Sequence, residues 1–169
     1  MKQPNSFSLL ELLVVIAIVG MLSSAAMAHS GRNRERRQLT TALRRLQIGL
    51  DRGRMAAKRS GKPCGMSLTS QGWLPSPAAG LRPCPGAATT LVELDALSLV
   101  VHSNLPDTVR FSSNGLVLDG GMVVLGHRRL PHHRCLVIGL PLGISRIGRY
   151  EEHPLNTFSS RRCKPDVVG

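Results

Sequence analysis

One carboxylate, Glu11, lies inside an otherwise apolar run near the start of the chain, between Phe7 and Ala28. An ionised carboxylate costs several kcal/mol in hydrocarbon, so an acid is retained there only when it meets a partner or has a task. The chemistry expected at this position is therefore the neutralisation of a charge, and the open question is which group Glu11 meets.

Four cysteines follow the apolar run and allow three fully paired connectivities. In an extracytoplasmic compartment disulfides are stable, and sequence proximity favours Cys64 with Cys84 and Cys135 with Cys163. Zinc is the alternative, because the chain also holds His102, His127, His132 and His133. No Cys-x-x-Cys or His-x-x-x-His spacing supports a zinc site.

The chain is strongly basic, with 22 Lys and Arg against 10 Asp and Glu and a formal charge of +12. This balance favours polyanions, anionic lipid headgroups or acidic protein surfaces without choosing among them. Solubilising surface charge is the plainer interpretation. The arginines that could form a sequence-independent phosphate-binding patch are Arg128, Arg129, Arg134, Arg146 and Arg149.

Catalytic patterns are missing from the sequence. His132 and His133 stand among arginines in a stretch that is typical of a solvated basic loop. Acids are few, and the chain has no Gly-x-Ser-x-Gly, P-loop or paired-carboxylate pattern. We expect a protein that is not an enzyme and needs neither a cofactor nor a metal.

A long helix is predicted to carry Glu11. The apolar run of about 22 residues is close to the length that spans a bilayer as a helix. Beyond it, Leu39, Leu43, Leu46 and Leu50 recur at helical spacing, and Gly61 and Pro63 end the pattern. We predict one helix over residues 7–60, with a transmembrane part at 7–28 and an amphipathic part within 29–62.

Two alternatives for the apolar segment remain open. It could be a signal peptide removed after Ala26 or Ala28, or a plain signal anchor in which Glu11 is incidental. The positive-inside rule would also place the rest of the chain in the cytoplasm, because only Lys2 and the amino terminus precede the segment. The positive residues that follow it are Arg32, Arg34, Arg36 and Arg37.

Beyond Pro63 short apolar runs alternate with turn signals. The stretches "TTLVELDALSLVVH", "TVRFSSNGLVLDGGMVVLGHRR" and "HRCLVIGLPLGISRIGRY" are typical of strands and hairpins, with turns at Ser113–Gly115 and Asp119–Gly121. We predict a β-rich head over residues 63–169, in which an antiparallel sheet packs on the second half of the helix. The fold class is therefore α+β.

The stretch "SFSLLELLVVIAIVGML" resembles the class III signal of type IV pilins and pseudopilins, with Phe7 as the first mature residue and Glu11 as the fifth. The resemblance implies a leader at residues 1–6, cleavage between Ser6 and Phe7 by prepilin peptidase, and methylation of the Phe7 amine. It also implies that Glu11 neutralises the amine of a neighbouring subunit. Ser6 stands where the family has Gly.

The order of the remaining pieces is similar to that of minor pseudopilins of the GspH/FimT type, through "LQIGLDRGRMAAKRSGKPCGMSL", "QGWLP", "VRFSSNGLV" and "LPLGISR". This implies a structural or priming subunit of a type IV pilus or a type II secretion pseudopilus. Its partners would be other pilins, and it would sit in the bacterial inner membrane with the head in the periplasm. The alternative is a DNA receptor that uses the hairpin at Gly143–Arg146, with Arg149 nearby.

Overall fold

The computed structural model describes residues 8–75, 80–91, 98–151, 154 and 158–166, without the side chains of residues 24–30 and 32. Its helix α1 runs over Leu9–Ser60, so the long predicted helix is present. Phe7, the predicted start of that helix, lies outside the described residues. The helix ends at Gly61, which has φ of 60°, a left-handed conformation that glycine adopts without strain.

Two compact units divide the chain, an N-terminal unit of residues 1–35 and a C-terminal unit of residues 36–169. The boundary lies within the sequence of α1, so residues 36–60 of the helix belong to the same compact unit as the strands. Among the residues that the structure describes, no helix is long and apolar enough to cross a bilayer. The transmembrane segment over 7–28 stays a prediction.

In the part of the chain that the structure describes, nine short strands follow the helix, and they are β1 (Cys64–Thr69), β2 (Gly72–Pro75), β3 (Thr89–Thr90), β4 (Leu99–Ser103), β5 (Val109–Phe111), β6 (Gly121–His127), β7 (His133–Ile138), β8 (Ser145–Tyr150) and β9 (Cys163–Pro165). A 3-10 turn over Ser160–Arg162 precedes β9. The helix and the antiparallel strands confirm the α+β fold class.

The strands form two sheets, whereas the sequence predicted one. The smaller sheet has the order β3-β2-β1-β5, and the larger has the order β4-β6-β7-β8-β9. Neighbouring strands within both sheets are antiparallel. The prediction missed the division because turn signals mark where strands end without saying which strands become neighbours.

The two predicted turns have different outcomes. The turn at residues 113–115 is present, because Gly115 has φ of 78° and Phe111 forms a bridge to Val117. The prediction of a hairpin turn at Asp119–Gly121 is wrong. There the chain leaves the smaller sheet and enters β6 of the larger one. The carboxylate of Asp119 instead accepts bonds from the Arg110 main-chain N–H and guanidinium, which fastens the crossing.

The predicted leucine stripe is the centre of the core. The four leucines at positions 39, 43, 46 and 50 are at most 3% exposed, and they share one apolar cluster with residues of both sheets. Burying a leucine side chain contributes about 1.5–3 kcal/mol relative to leaving it exposed. The amphipathic half of α1 is thus held by tertiary packing.

Two glycines of α1 allow the smaller sheet to approach the helix closely. A Cβ added to Gly49 would collide with the Trp73 indole, and one added to Gly53 would lie 2.6 Å from the Met66 sulfur and 2.9 Å from Phe111. The buried indole also donates its Nε1–H to the Leu46 carbonyl at 2.8 Å. The helix and the smaller sheet are therefore fitted by shape and joined by a hydrogen bond.

Both disulfides have the pairing that sequence proximity favours. Cys64 is bonded to Cys84, and Cys135 is bonded to Cys163, across separations of 20 and 28 residues. The first ties β1 to the segment after the undescribed residues 76–79, and the second joins β7 to β9. Each closes a loop in the unfolded chain, which removes about 3–4 kcal/mol of loop entropy per bridge by the chain-entropy account.

Candidate functional site

Glu11 lies in the first turn of α1, with its side chain exposed. The helix starts after Ser8, whose hydroxyl accepts a bond from the Leu10 main-chain N–H at 3.3 Å. Ser8 and Glu11 therefore stand at the two positions of a capping box, a feature that the sequence analysis missed although its Ser-x-x-Glu signature was readable. The helix N-terminus favours a negative charge at Glu11 independently of any partner.

The described side chains around Glu11, from Leu9 to Leu22, form an apolar surface. Each large one is more than half exposed, and they are Leu9, Leu10, Leu12, Leu13, Val14, Val15, Ile16, Ile18, Val19, Met21 and Leu22. Contiguous apolar surface of this extent is rare on monomeric soluble proteins and marks contact with a membrane or with other proteins. Ser6 and Phe7, the predicted processing site, lie outside the described residues.

A basic depression in the C-terminal unit brings together two of the predicted arginines. Arg134 on β7 is the register partner of Arg149 on β8, so both side chains stand on the same face of the larger sheet. The depression has a volume of about 300 Å³ and is lined by Arg36, Leu39, Thr40, Leu130, His132, Arg134 and Arg149. Arg36 is an addition from α1 that spacing within the β-rich sequence could not reveal, whereas His132 comes from the stretch that the sequence analysis interpreted as a solvated basic loop.

Asp166 neutralises part of the positive charge in this depression. Its two carboxylate oxygens accept bonds from Arg134 at 3.0 and 2.6 Å, and the same carboxylate lies 3.7 Å from Arg149 Nε. A bidentate arginine–carboxylate pair is among the stronger side-chain contacts. Arg134 is 16% exposed and committed to Asp166, whereas Arg149 is 77% exposed and remains accessible to a second anion.

Arg146 does not join the depression. It pairs in register with Val137, whereas Arg149 pairs with Arg134, and three residues along a strand place two side chains on opposite faces. The guanidinium of Arg146 donates to the Ser160 carbonyl at 3.2 Å instead. Arg146 is therefore separated from Arg134 and Arg149 by the larger sheet, and the predicted five-arginine patch is not formed on one face.

The other two predicted arginines lie at the turn between β6 and β7. Arg128 and Arg129 are exposed there. The turn is held by His127, which is buried and whose Nδ1 accepts from the Arg129 N–H at 3.2 Å while its carbonyl accepts from the Leu130 N–H at 2.9 Å. His127 thus has a structural role as a turn anchor.

The zinc alternative loses its sulfur ligands, because all four cysteines are oxidised in disulfides. Across the described ranges, no three side chains of His, Cys, Asp or Glu are grouped so that they could hold a metal ion. A second arginine–carboxylate pair that the sequence analysis missed has a structural role. The Arg110 guanidinium bonds to Asp119 and holds the pKa of that carboxyl below its usual range.

Comparison with known proteins supports the N-terminal assignment. Residues 1–27 match the family model for the prokaryotic N-terminal methylation motif, which is the class III prepilin signal and is consistent with a type IV pilin-like protein. No curated protein and no solved structure matches the chain. The match covers the predicted processing site and Glu11, and it ends before the described part of the C-terminal unit begins.

Proposed function

We propose that this chain is a minor pilin or pseudopilin, a structural or priming subunit of a type IV pilus or a type II secretion pseudopilus. The observation that carries the proposal is the methylation motif over residues 1–27, with Glu11 at the fifth position after the expected cleavage site. The motif implies processing by prepilin peptidase and assembly with other pilins. The GspH/FimT subtype is part of the proposal and rests on the sequence resemblance.

In this role Glu11 acts on assembly. Its carboxylate would pair with the methylated Phe7 amine of a neighbouring subunit, because each charge alone is costly in an apolar core and the pair is less so. The eleven exposed apolar side chains between Leu9 and Leu22 would supply the contact surface for the membrane before assembly and for other subunits afterwards. No bond is made or broken after processing, so the proposal does not include an enzymatic activity.

We place the protein in the bacterial inner membrane with the C-terminal unit in the periplasm. The two disulfides support this side of the membrane, since structural disulfides persist in oxidising compartments and are rare in the cytosol of most bacteria. The arginines after the apolar run favour the opposite orientation by the positive-inside rule. We give the disulfides more weight because two bridges in one small unit are specific, whereas the charge rule is a statistical bias.

The test is processing followed by assembly. Co-expression with a prepilin peptidase should remove residues 1–6 and leave a methylated Phe7, as measured by intact mass and amino-terminal sequencing. Glu11→Gln should be processed normally and yet enter filaments about tenfold less, if losing the charge pair costs near 1.4 kcal/mol. Glu35→Gln removes the same charge elsewhere on α1 and serves as the matched control. Cleavage after Ala28, or normal incorporation of Glu11→Gln, would overturn the proposal.

DNA uptake is the second candidate, and the basic depression at Arg36, Arg134 and Arg149 favours it. Sequence-independent phosphate binding needs accessible cations, and the exposed side chains of Arg149 on β8 and of Arg128 and Arg129 at the turn before β7 provide them. The variant Arg128→Ala with Arg149→Ala should weaken duplex binding and reduce its salt dependence. Arg146→Ala, on the other face, should change neither quantity. Equal losses in both variants would indicate unspecific charge attraction.

A further inference from the structure

We propose that the loop between β7 and β8, residues 139–144, is a docking surface for another protein of the assembly, which presents an apolar patch rimmed by carboxylates. The proposal rests on the subunit role given above and names a contact within it. The sequence of this loop, "GLPLGI", is apolar throughout. The resemblance had assigned its end, Gly143–Arg146, to a DNA-binding hairpin.

The loop exposes large aliphatic side chains in the otherwise well-packed C-terminal unit. Leu140 is 57% exposed, Leu142 is 54% exposed and Ile144 is 67% exposed. Leu118, at 47%, adds to them from the neighbouring segment. A group of exposed aliphatic side chains on one loop marks a protein or membrane contact. The aliphatic side chains of Leu140, Leu142 and Ile144 offer nothing to a phosphate, so the DNA role is not supported at this hairpin.

Main-chain hydrogen bonds fix the loop. The Val117 N–H donates to the Pro141 carbonyl at 2.9 Å, and the Gly139 N–H donates to the Ile144 carbonyl at 3.0 Å. The Gly143 N–H closes a tight turn on the Gly139 carbonyl at 2.9 Å. A preorganised surface loses little conformational entropy when a partner binds. The apolar side chains are therefore presented by a fixed scaffold.

Both backbone conformation and lack of space require glycine at position 143. Its φ is 64°, and a side chain there would collide with Val117 and approach Arg54 to 3.2 Å. The loop consequently lies against α1 and the segment after β5, with no space between them for another group at that point. The side chains of Leu142 and Ile144 stay more than half exposed, and the side chain of Leu140 is also more than half exposed although it lies over Gly120.

The rim around this surface is basic. Arg146 stands on β8, two residues after Ile144, and Arg54 donates its Nε–H to the Gly115 carbonyl at 3.3 Å, with Lys58 one helical turn further. Two carboxylates face cations here: Asp51 lies 3.6 Å from the Arg54 guanidinium, and Asp119 is bonded to Arg110. Arg146 and Lys58 leave the rim with a net positive charge. A second copy would bring the same positive rim against itself, in a chain of formal charge +12. Charge complementarity therefore selects a different protein with acidic residues around its apolar centre.

A lipid surface would also suit an apolar loop with a basic rim. Segments that insert at the membrane interface usually carry tryptophan or other aromatic residues, and residues 139–144 hold none. A rigid loop with three aliphatic side chains is better matched to a preformed pocket on a protein. The experiment below therefore distinguishes labelling of lipid from labelling of a protein.

The experiment uses the full chain with Leu142 replaced by photoreactive p-benzoylphenylalanine. The probes are the other subunits of the same host that carry a methylation motif, each co-expressed singly. The matched control carries the photoreactive residue at Leu74, which is exposed on β2 of the smaller sheet. We expect position 142, and not position 74, to label one of these subunits at a segment where apolar residues are flanked by Asp or Glu.

A second variant, Ile144→Asp, tests the chemistry of the contact. It should reduce the labelling from position 142 about tenfold, because it places a carboxylate in an apolar contact that is itself rimmed by acids. Leu74→Asp should leave the labelling unchanged. Both variants should keep their disulfides and melting temperature, since the altered side chains are exposed.

Four results would overturn the proposal: no labelled subunit, labelling of lipid, labelling of a second copy, or equal labelling from positions 142 and 74. The failure of the proposed subunit role would have a different signature. In that case Phe7 would lack its methyl group or Glu11→Gln would assemble normally. A chain that is processed and assembled but unlabelled at position 142 would refute the docking surface alone.

Discussion

Between Leu9 and Leu22 the large apolar side chains of α1 are more than half exposed, whereas Leu39, Leu43, Leu46 and Leu50 of the same helix are almost completely buried. The two segments have similar residue types and the same secondary structure. They differ in what covers them, since the second is covered by two sheets of its own unit. The residue types alone therefore do not decide burial, which depends on the elements that pack against each segment.

Truncating one leucine in each segment should give the largest difference in stability between the two segments. Leu43→Ala removes a fully buried side chain and should lower the free energy of unfolding of the C-terminal unit by about 2–5 kcal/mol. Leu13→Ala removes an exposed one and should change it by less than about 0.5 kcal/mol. Urea denaturation of the full chain in detergent micelles, followed by circular dichroism, measures both. Equal destabilisation would mean that the N-terminal unit contributes to the folded core.

The two units also differ in covalent cross-links, because both disulfides lie in the C-terminal unit. Replacing Cys135 and Cys163 together with serine should lower the free energy of unfolding by about 2–4 kcal/mol, since the unfolded chain regains the freedom of a 28-residue loop. Calorimetry under non-reducing conditions provides the measurement. A melting temperature equal to that of the parent chain would show that β9 is held by its strand pairing alone.

The glycines of the two segments should respond with opposite signs. Gly49→Ala places a methyl group against the Trp73 indole and should cost about 1–3 kcal/mol. Gly20→Ala meets no atom within 4 Å and should favour the helix by about 0.5–1 kcal/mol, since alanine has the higher helix propensity. Thermal unfolding of the two variants side by side gives the comparison. Stabilisation by Gly49→Ala would contradict the close approach of β2 to α1.

The smallest effect is expected from acid. The pKa of Asp119 is lowered by its bonds to Arg110, and that of Arg110 is raised by the same contact, so the pair stabilises the folded state at every pH above the ordinary aspartate range. This contribution is lost as the pH falls through the lowered pKa of Asp119. Asp119→Asn should lower the melting temperature slightly at pH 7 and by less at pH 2. An equal loss of melting temperature at pH 7 and at pH 2 would mean that the substitution acts through packing and not through the charge of Asp119.

Local periodicity made the helix predictable. The 3.6-residue spacing of the leucines and the Gly61–Pro63 signal gave both the buried face and the C-terminal end of α1. The two sheets could not be derived in the same way, because Asp119–Gly121 has the composition of a hairpin turn, and only the long-range pairing of β6 with β4 and β7 turns it into a crossing between sheets.

The separation of Arg146 from Arg149 could have been predicted from the sequence. Arg146 and Arg149 are three apart in a predicted strand, and the two-residue period already places them on opposite faces. Their assignment to one patch ignored that rule. Arg36, by contrast, reaches the depression from the helix, and no pattern within the strands could have indicated it.

The hydrogen bond from the Trp73 indole to the Leu46 carbonyl gives the molecule an internal optical reporter. Trp73 is the single tryptophan of the chain, and it is fully buried where β2 meets α1. Its fluorescence therefore comes from one place, with an emission wavelength set by the apolar contact and the bonded Nε1–H. If β2 separates from the helix, the indole meets water and its emission moves to longer wavelength. If assembly keeps this contact, the emission wavelength stays unchanged. The contact between the smaller sheet and α1 can therefore be followed without an added dye.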